Sequence, residues 1–204
     1  ATMLGPIRIG SFLNAVLAPQ HFANVEVIDP DLKPDVLDQK AIVLDVRATD
    51  SSGRQFQIEM QCWLHPALEE RMLFSWARLY QNQLPKGEDY EALQPAIAIW
   101  LVDRSLWADD RPHHCFEARD NESGLRLSRH MQLHTFELDK IRQLKDEDSS
   151  PRAGWLHFFA EGEFWARVPD RYRRPAVESA MSVLEKYKNN EENYEIYRMR
   201  EDWL

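Results

Sequence analysis

Apolar and polar positions alternate along several stretches of the chain, and the period of that alternation predicts its elements. Val25-Glu26-Val27-Ile28 alternates and reads as a strand. Ala41–Trp63 holds two strand-like runs, Ile42–Val46 and Phe56–Met60, on either side of the polar turn Asp50-Ser51-Ser52-Gly53-Arg54. In the stretch that follows, Leu68, Met72, Trp76 and Leu79 recur at helical spacing over residues 66–84. Pro66 suits the start of that helix and Glu69 and Glu70 suit its first turn. Ala96–Val102 is apolar throughout and reads as a strand buried on both faces. Cys115–Arg119 and Leu125–Leu127 are placed as a hairpin around Asn121–Gly124, and Met131–Leu138 alternates as a further strand. Ser11–Leu17 reads as a short helical turn, Pro175–Lys188 as a helix, and Asn189–Trp203 as a second one. The aromatic stretch Trp155–Phe164 is expected to pack back on the core.

The helix between the Phe56 strand and the Ala96 strand makes a β-α-β crossover, a connection that joins parallel strands. An antiparallel hairpin then feeds a parallel neighbour. The predicted fold class is α/β, with a mixed central sheet and flanking helices. Residues 1–144 form the expected core. The polar stretch 145–152 opens a C-terminal helical extension, 145–204, packed on it.

The hairpin carries the chemistry. A three-residue loop commonly ends in the left-handed conformation, which glycine adopts without steric cost, so Gly53 takes that place. Asp50 then faces Arg54, Arg47 faces Gln57, Asp45 faces Glu59 and Val43 faces Gln61. Side chains alternate along a strand, so Gln57, Glu59 and Gln61 share one face. Opposed side chains have Cβ atoms about 5 Å apart. Two carboxylates at that separation repel each other, and a divalent cation between them removes the repulsion. Oxygen ligands of this kind suit Mg²⁺ or Mn²⁺. Gln61 can donate a hydrogen bond to an attacking water or a phosphate oxygen. A two-residue loop would instead put Asp45 opposite Ile58. The plain alternative is one acid on an open face and the other paired with Arg47 or Arg54.

The order Asp, then Glu-x-Gln on the next strand, is similar to the PD-(D/E)xK nuclease superfamily, with Gln61 in place of the usual Lys. The chain resembles more closely the Rpn-type recombination-promoting nuclease and transposase family. The resemblance runs through SFLNAVL (11–17), VEVIDPDL (25–32), LDVRATDSSGRQFQIEMQ (44–61), residues 71–103, HHCFEARD (113–120), LHTFELDK (133–140) and YEIYRMRE (194–201). It implies a restriction-endonuclease-like core and a metal-dependent endonuclease acting on DNA, linked to recombination and mobile elements. Asp45 and Glu59 match the metal-binding acids, and Gln61 the motif's final residue. Family members usually carry a longer helical segment before SFLN. Many superfamily members also draw an acid from an early helix, and no residue before Ser11 supplies one. Lys40 or Arg71 would supply the positive charge of the missing Lys, and Arg71 is taken as the catalytic candidate.

Composition constrains this reading. The chain has 204 residues, 44% hydrophobic and 11% aromatic, enough for one sizeable core. No apolar run approaches the ~20 residues of a membrane span. Neither a signal peptide nor a CxxC pair is visible, and Cys62 and Cys115 read as reduced thiols of a cytoplasmic protein. A net charge of −9 opposes general DNA binding, so a nuclease needs a local basic strip. Arg47, Arg54, Arg71 and Arg78 are its candidates, against the plainer reading of Arg71 and Arg78 as a solvated helix face. His113 and His114 are adjacent in a strand and point to opposite faces, so a shared metal ion is not expected.

Three functions are compatible with this sequence. The first is a Mg²⁺- or Mn²⁺-dependent DNA endonuclease. The second is a catalytically degenerate nuclease fold that binds DNA or protein. The third is an oligomeric partner subunit whose site is completed by another chain. Independently of these, the two C-terminal helices either cover the sheet or form a homodimer contact.

Overall fold

The protein is described by a computed structural model covering residues 5–28, 46–61, 66–85, 87–144 and 148–188. Asp45, Lys40, Val43, Cys62 and the helix expected over 189–203 lie outside the described residues.

Six strands form one mixed sheet: β1 (Glu26–Ile28), β2 (Val46–Thr49), β3 (Gln55–Gln61), β4 (Ala96–Val102), β5 (His113–Phe116) and β6 (Met131–Glu137). Their order is β1-β2-β3-β4-β6-β5. β1, β2 and β3 pair antiparallel, β3, β4 and β6 run parallel, and β5 closes the far edge antiparallel to β6. The parallel step from β3 to β4 is made by α2 (Leu68–Gln81), as the crossover predicts. This is a restriction-endonuclease-like α/β fold.

The hairpin has the predicted register, with Arg47 opposite Gln57 and Val46 opposite Ile58. Gly53 takes φ +82°. The turn is fastened by Asp50, whose Oδ1 accepts from the Ser52 and Arg54 amides at 3.0 and 3.1 Å and whose Oδ2 accepts from Arg54 Nε at 2.7 Å. Burial alone would raise the Asp50 pKa, but the hydrogen bonds from Arg54 and Ser52 hold it below the ordinary carboxylate range.

Alternation along the strands divides the sheet into two unlike faces. One face carries Phe56, Ile58, Ile97, Ile99, Leu101 and Phe136, and packs against α1 (Pro6–Val16), α4 (Pro151–Glu161) and α5 (Pro175–Lys188). Phe12 of α1 meets Trp155 and Phe159 of α4 edge-on at 5.8 and 5.3 Å between centroids. The other face carries Ala98, Trp100, Val102 and Leu133, covered by Leu68 and Met72 of α2. The outcome is three layers, helix–sheet–helix.

Several elements differ from expectation in extent. The first helix is longer than one turn, because Pro6 pre-sets its φ and Ile9, Phe12, Leu13 and Val16 place buried side chains along one face. The stretch around Trp155 is a helix buried on nearly every side. Its N-cap is Ser150, whose Oγ accepts from the Ala153 amide at 3.1 Å. Because the helix has no polar face, its apolar residues give no helical period. β5 spans only His113–Phe116 and pairs with β6 rather than with the residues that follow it. The expected 115–127 hairpin is reduced to a bridge between Arg119 and Arg126.

Candidate active site

The polar row Gln55, Gln57, Glu59 and Gln61 stands on the α2 side of β3, and the core residues Phe56 and Ile58 on the other. α2 follows β3 and runs back across it. Four helical residues advance ~6 Å and two strand residues ~6.6 Å, so an i, i+4 pair on α2 can meet an i, i+2 pair on β3. Arg71 and Ser75 are such a pair, and they meet Glu59 and Gln57.

The contacts are specific. Arg71 Nη2 donates to Glu59 Oε1 at 2.7 Å. Gln57 Nε2 donates to Glu59 Oε2 at 3.1 Å. Ser75 Oγ lies 2.7 Å from Gln57 Nε2 and donates to Gln57 Oε1 at 3.0 Å. Glu59 and Gln57 are buried, at 5% and 2% exposure, whereas the Arg71 side chain is half exposed. The Arg71 guanidinium carbon also lies 5.8 Å from the ring centroid of Trp100, the β4 residue paired with Glu59. A buried carboxylate is thus held at both oxygens on the α2 side of the sheet.

Of the predicted residues, Glu59 and Arg71 are brought into direct contact. Gln61 is the last residue of β3, on the Glu59 face and in register with Val102. Asp45 precedes β2 and lies outside the described residues. Of the four candidate basic residues, Arg54 is spent on Asp50 and the His21 carbonyl, and Arg71 on Glu59. Arg71 and Ser75 therefore do not belong to a merely solvated helix face. Gln57, Ser75 and Trp100, which position Glu59 and Arg71, carry no motif; the matching helix and strand spacings are the only sequence signal for them.

The oxygens of Glu59 and Gln61 are donors of the kind that hard divalent cations take. Among the described residues no group of three or more His, Cys, Asp or Glu could hold a metal ion by itself. Glu59 therefore fits such an ion as one ligand of several.

His113 and His114 do point to opposite faces. His113 Nε2 lies 3.0 Å from His134 Nδ1 and its Nδ1 lies 2.8 Å from Arg152 Nη2, whereas His114 Nε2 lies 3.0 Å from Asp109 Oδ2.

Residues 8–204 match the model of a family described as PD-(D/E)XK nuclease family transposase. Neither a curated protein nor a solved structure matches the chain. The family match supports a nuclease linked to mobile elements. No helix among the described residues is long and apolar enough to cross a membrane.

Proposed function

Because this chain belongs to the PD-(D/E)XK nuclease family transposases, we propose that it is a divalent-metal-dependent endonuclease that hydrolyses phosphodiester bonds in DNA. The observation that carries this reading is the buried Glu59 carboxylate, held by Arg71 and Gln57 beneath α2, with the Arg71 guanidinium reaching it from solvent. A carboxylate taken out of water needs a compensating function or partner, and here the fold orients it.

Glu59 and Asp45 are the residues that would hold Mg²⁺ or Mn²⁺. A bound ion supplies a Lewis acid for the phosphoryl oxygen and a water of lowered pKa. The chain's own groups do the rest. Ser75 fixes Gln57, and Gln57 fixes the second Glu59 oxygen, so the carboxylate cannot rotate away. Gln61, two residues further along the same face, orients the attacking water by a hydrogen bond. Arg71 has its guanidinium at the rim, where it stabilises negative charge developing on the phosphoryl oxygens. The water oxygen forms the new bond to phosphorus and gives up its proton to solvent, while the bond from phosphorus to the sugar oxygen opposite it breaks and that oxygen takes a proton from solvent.

The test is nicking and linearisation of supercoiled plasmid with Mg²⁺ or Mn²⁺, paired with calorimetric titration of each ion. Wild type is expected to cleave. Asp45→Ala and Glu59→Gln are expected to lose cleavage by at least about 100-fold while keeping a cooperative unfolding transition, and Asp45→Ala to lose ion binding. Undiminished cleavage by both variants overturns the assignment.

One observation favours the second reading, a degenerate fold that binds DNA or protein. The Arg71–Glu59 ion pair already compensates the buried acid. On that reading wild type does not cleave, and Asp45→Ala leaves binding intact.

A further inference from the structure

The four arginines near the hairpin and α2 are not equivalent. Arg54 and Arg71 are committed to Asp50 and Glu59. Arg47 and Arg78 make no ion pair among the described residues, and Arg47 Nε is buried without a hydrogen-bond partner. Arg47 sits on β2 directly opposite Gln57, so it shares the face of Glu59. Its other in-register neighbour, Ile28 of β1, is 41% exposed, so this half of the face is not covered by α2. The acid of β1 on this face, Glu26, is in register with Thr49 and makes no ion pair with Arg47. Neutral polar groups complete the row: Gln55 Nε2 donates to Thr49 Oγ1 at 3.3 Å. Arg78 projects from α2 two turns beyond Arg71 on the same side of the helix, and is exposed.

Arg47 as a whole is only partly buried and makes no ion pair among the described residues, and a phosphodiester group is a partner that the outer nitrogens of such a guanidinium take by two parallel N–H···O bonds. We infer that the open β1–β2–β3 half of this face, with Arg47 on its floor and Arg78 on the flanking helix, is the track for the sugar-phosphate backbone of a DNA strand leading to Glu59. The inference rests on the nuclease reading and adds to it which cations face the substrate. Arg47 and Arg78 contact phosphates of the bound strand, whereas Arg54 is structural. Such contacts carry no sequence preference.

The test is fluorescence anisotropy of two labelled 20-base-pair DNA duplexes of unrelated sequence, in EDTA, over a series of KCl concentrations. The full chain is compared with Arg47→Gln, Arg78→Gln and, as an equal charge change on the opposite side of the sheet, Arg167→Gln. Each variant is first shown to unfold cooperatively. Each neutralised phosphate contributes ~0.9 to the slope of log K against log salt. Arg47→Gln and Arg78→Gln are expected to weaken binding several-fold on both duplexes and to reduce that slope by about 1 each; Arg167→Gln is expected to change neither. Wild-type affinity and slope in Arg47→Gln overturn the inference and leave the nuclease reading standing. A wild-type chain that neither binds nor cleaves DNA overturns both.

Discussion

Arg71 donates to Glu59 across the gap between α2 and β3, Nη2 to Oε1 at 2.7 Å, with the acid almost wholly buried and the base half in solvent. The asymmetry matters. Removing the base leaves a buried carboxylate short of one strong hydrogen bond, while removing the acid frees a group that water can solvate.

Arg71→Ala is therefore expected to lower stability more than Glu59→Gln. A charged hydrogen bond of this type contributes ~1.5–3 kcal/mol, and half exposure of the arginine puts the loss toward the lower end of that range. Urea unfolding of both variants measures the difference. Arg71→Lys restores charge without the guanidinium's planar fork and is expected to recover only part of the loss. Equal stability of Arg71→Ala and wild type contradicts the structural role of the pair.

Acid is expected to destabilise the protein through the β5–β6 edge. Burial, with Arg152 and then the neighbouring His134 and His114, pushes the His113 pKa down to about 3; burial, with Arg152, pushes that of His134 down to about 4. The unfolded chain takes up both protons as pH falls below about 6.5, while the folded protein resists them. Between those limits the unfolded state binds more protons, so stability is full above pH 6.5 and falls as pH falls toward 4. Urea midpoints at pH 7.5, 6 and 5 follow this trend. His134→Gln removes one of the two protons and flattens it. A wild-type midpoint that stays constant over that range disproves the burial of neutral imidazoles.

The hairpin turn gives a test of register. Gly53 has φ +82°, and a Cβ there would meet Gln94 Cγ at 3.1 Å. Gly53→Ala is expected to cost ~1–2 kcal/mol for the left-handed backbone. A denaturation midpoint equal to wild type would mean that the turn has another conformation, and the opposition of Arg47 to Gln57 would lose its support.

Much of this architecture was legible in local patterns. The hairpin and its turn at Gly53 are legible in the sequence, and of the two registers it allows the structure has that of the three-residue loop. The parallel neighbour β4 follows from seven successive apolar residues, and the crossover helix α2 from Leu68, Met72, Trp76 and Leu79. In each case the period of burial equals the period of the backbone element, so the pattern is written into consecutive residues. Glu59 stands out for the same reason, as an acid among apolar neighbours in a strand.

Contacts between elements were decided only by the tertiary structure. Gln57 and Ser75 are 18 residues apart, and their hydrogen bonds exist because α2 folds back over β3. α4, without a polar face, shows its helical character only once α1, α5 and the sheet surround it. The division of four similar arginines into Arg54 and Arg71, which hold acids, and Arg47 and Arg78, which make no ion pair among the described residues, depends on which acids the fold brings within reach. Sequence by itself determined which residues share an element and a face. Charge compensation is a property of distances in space, and only the packed chain sets those distances.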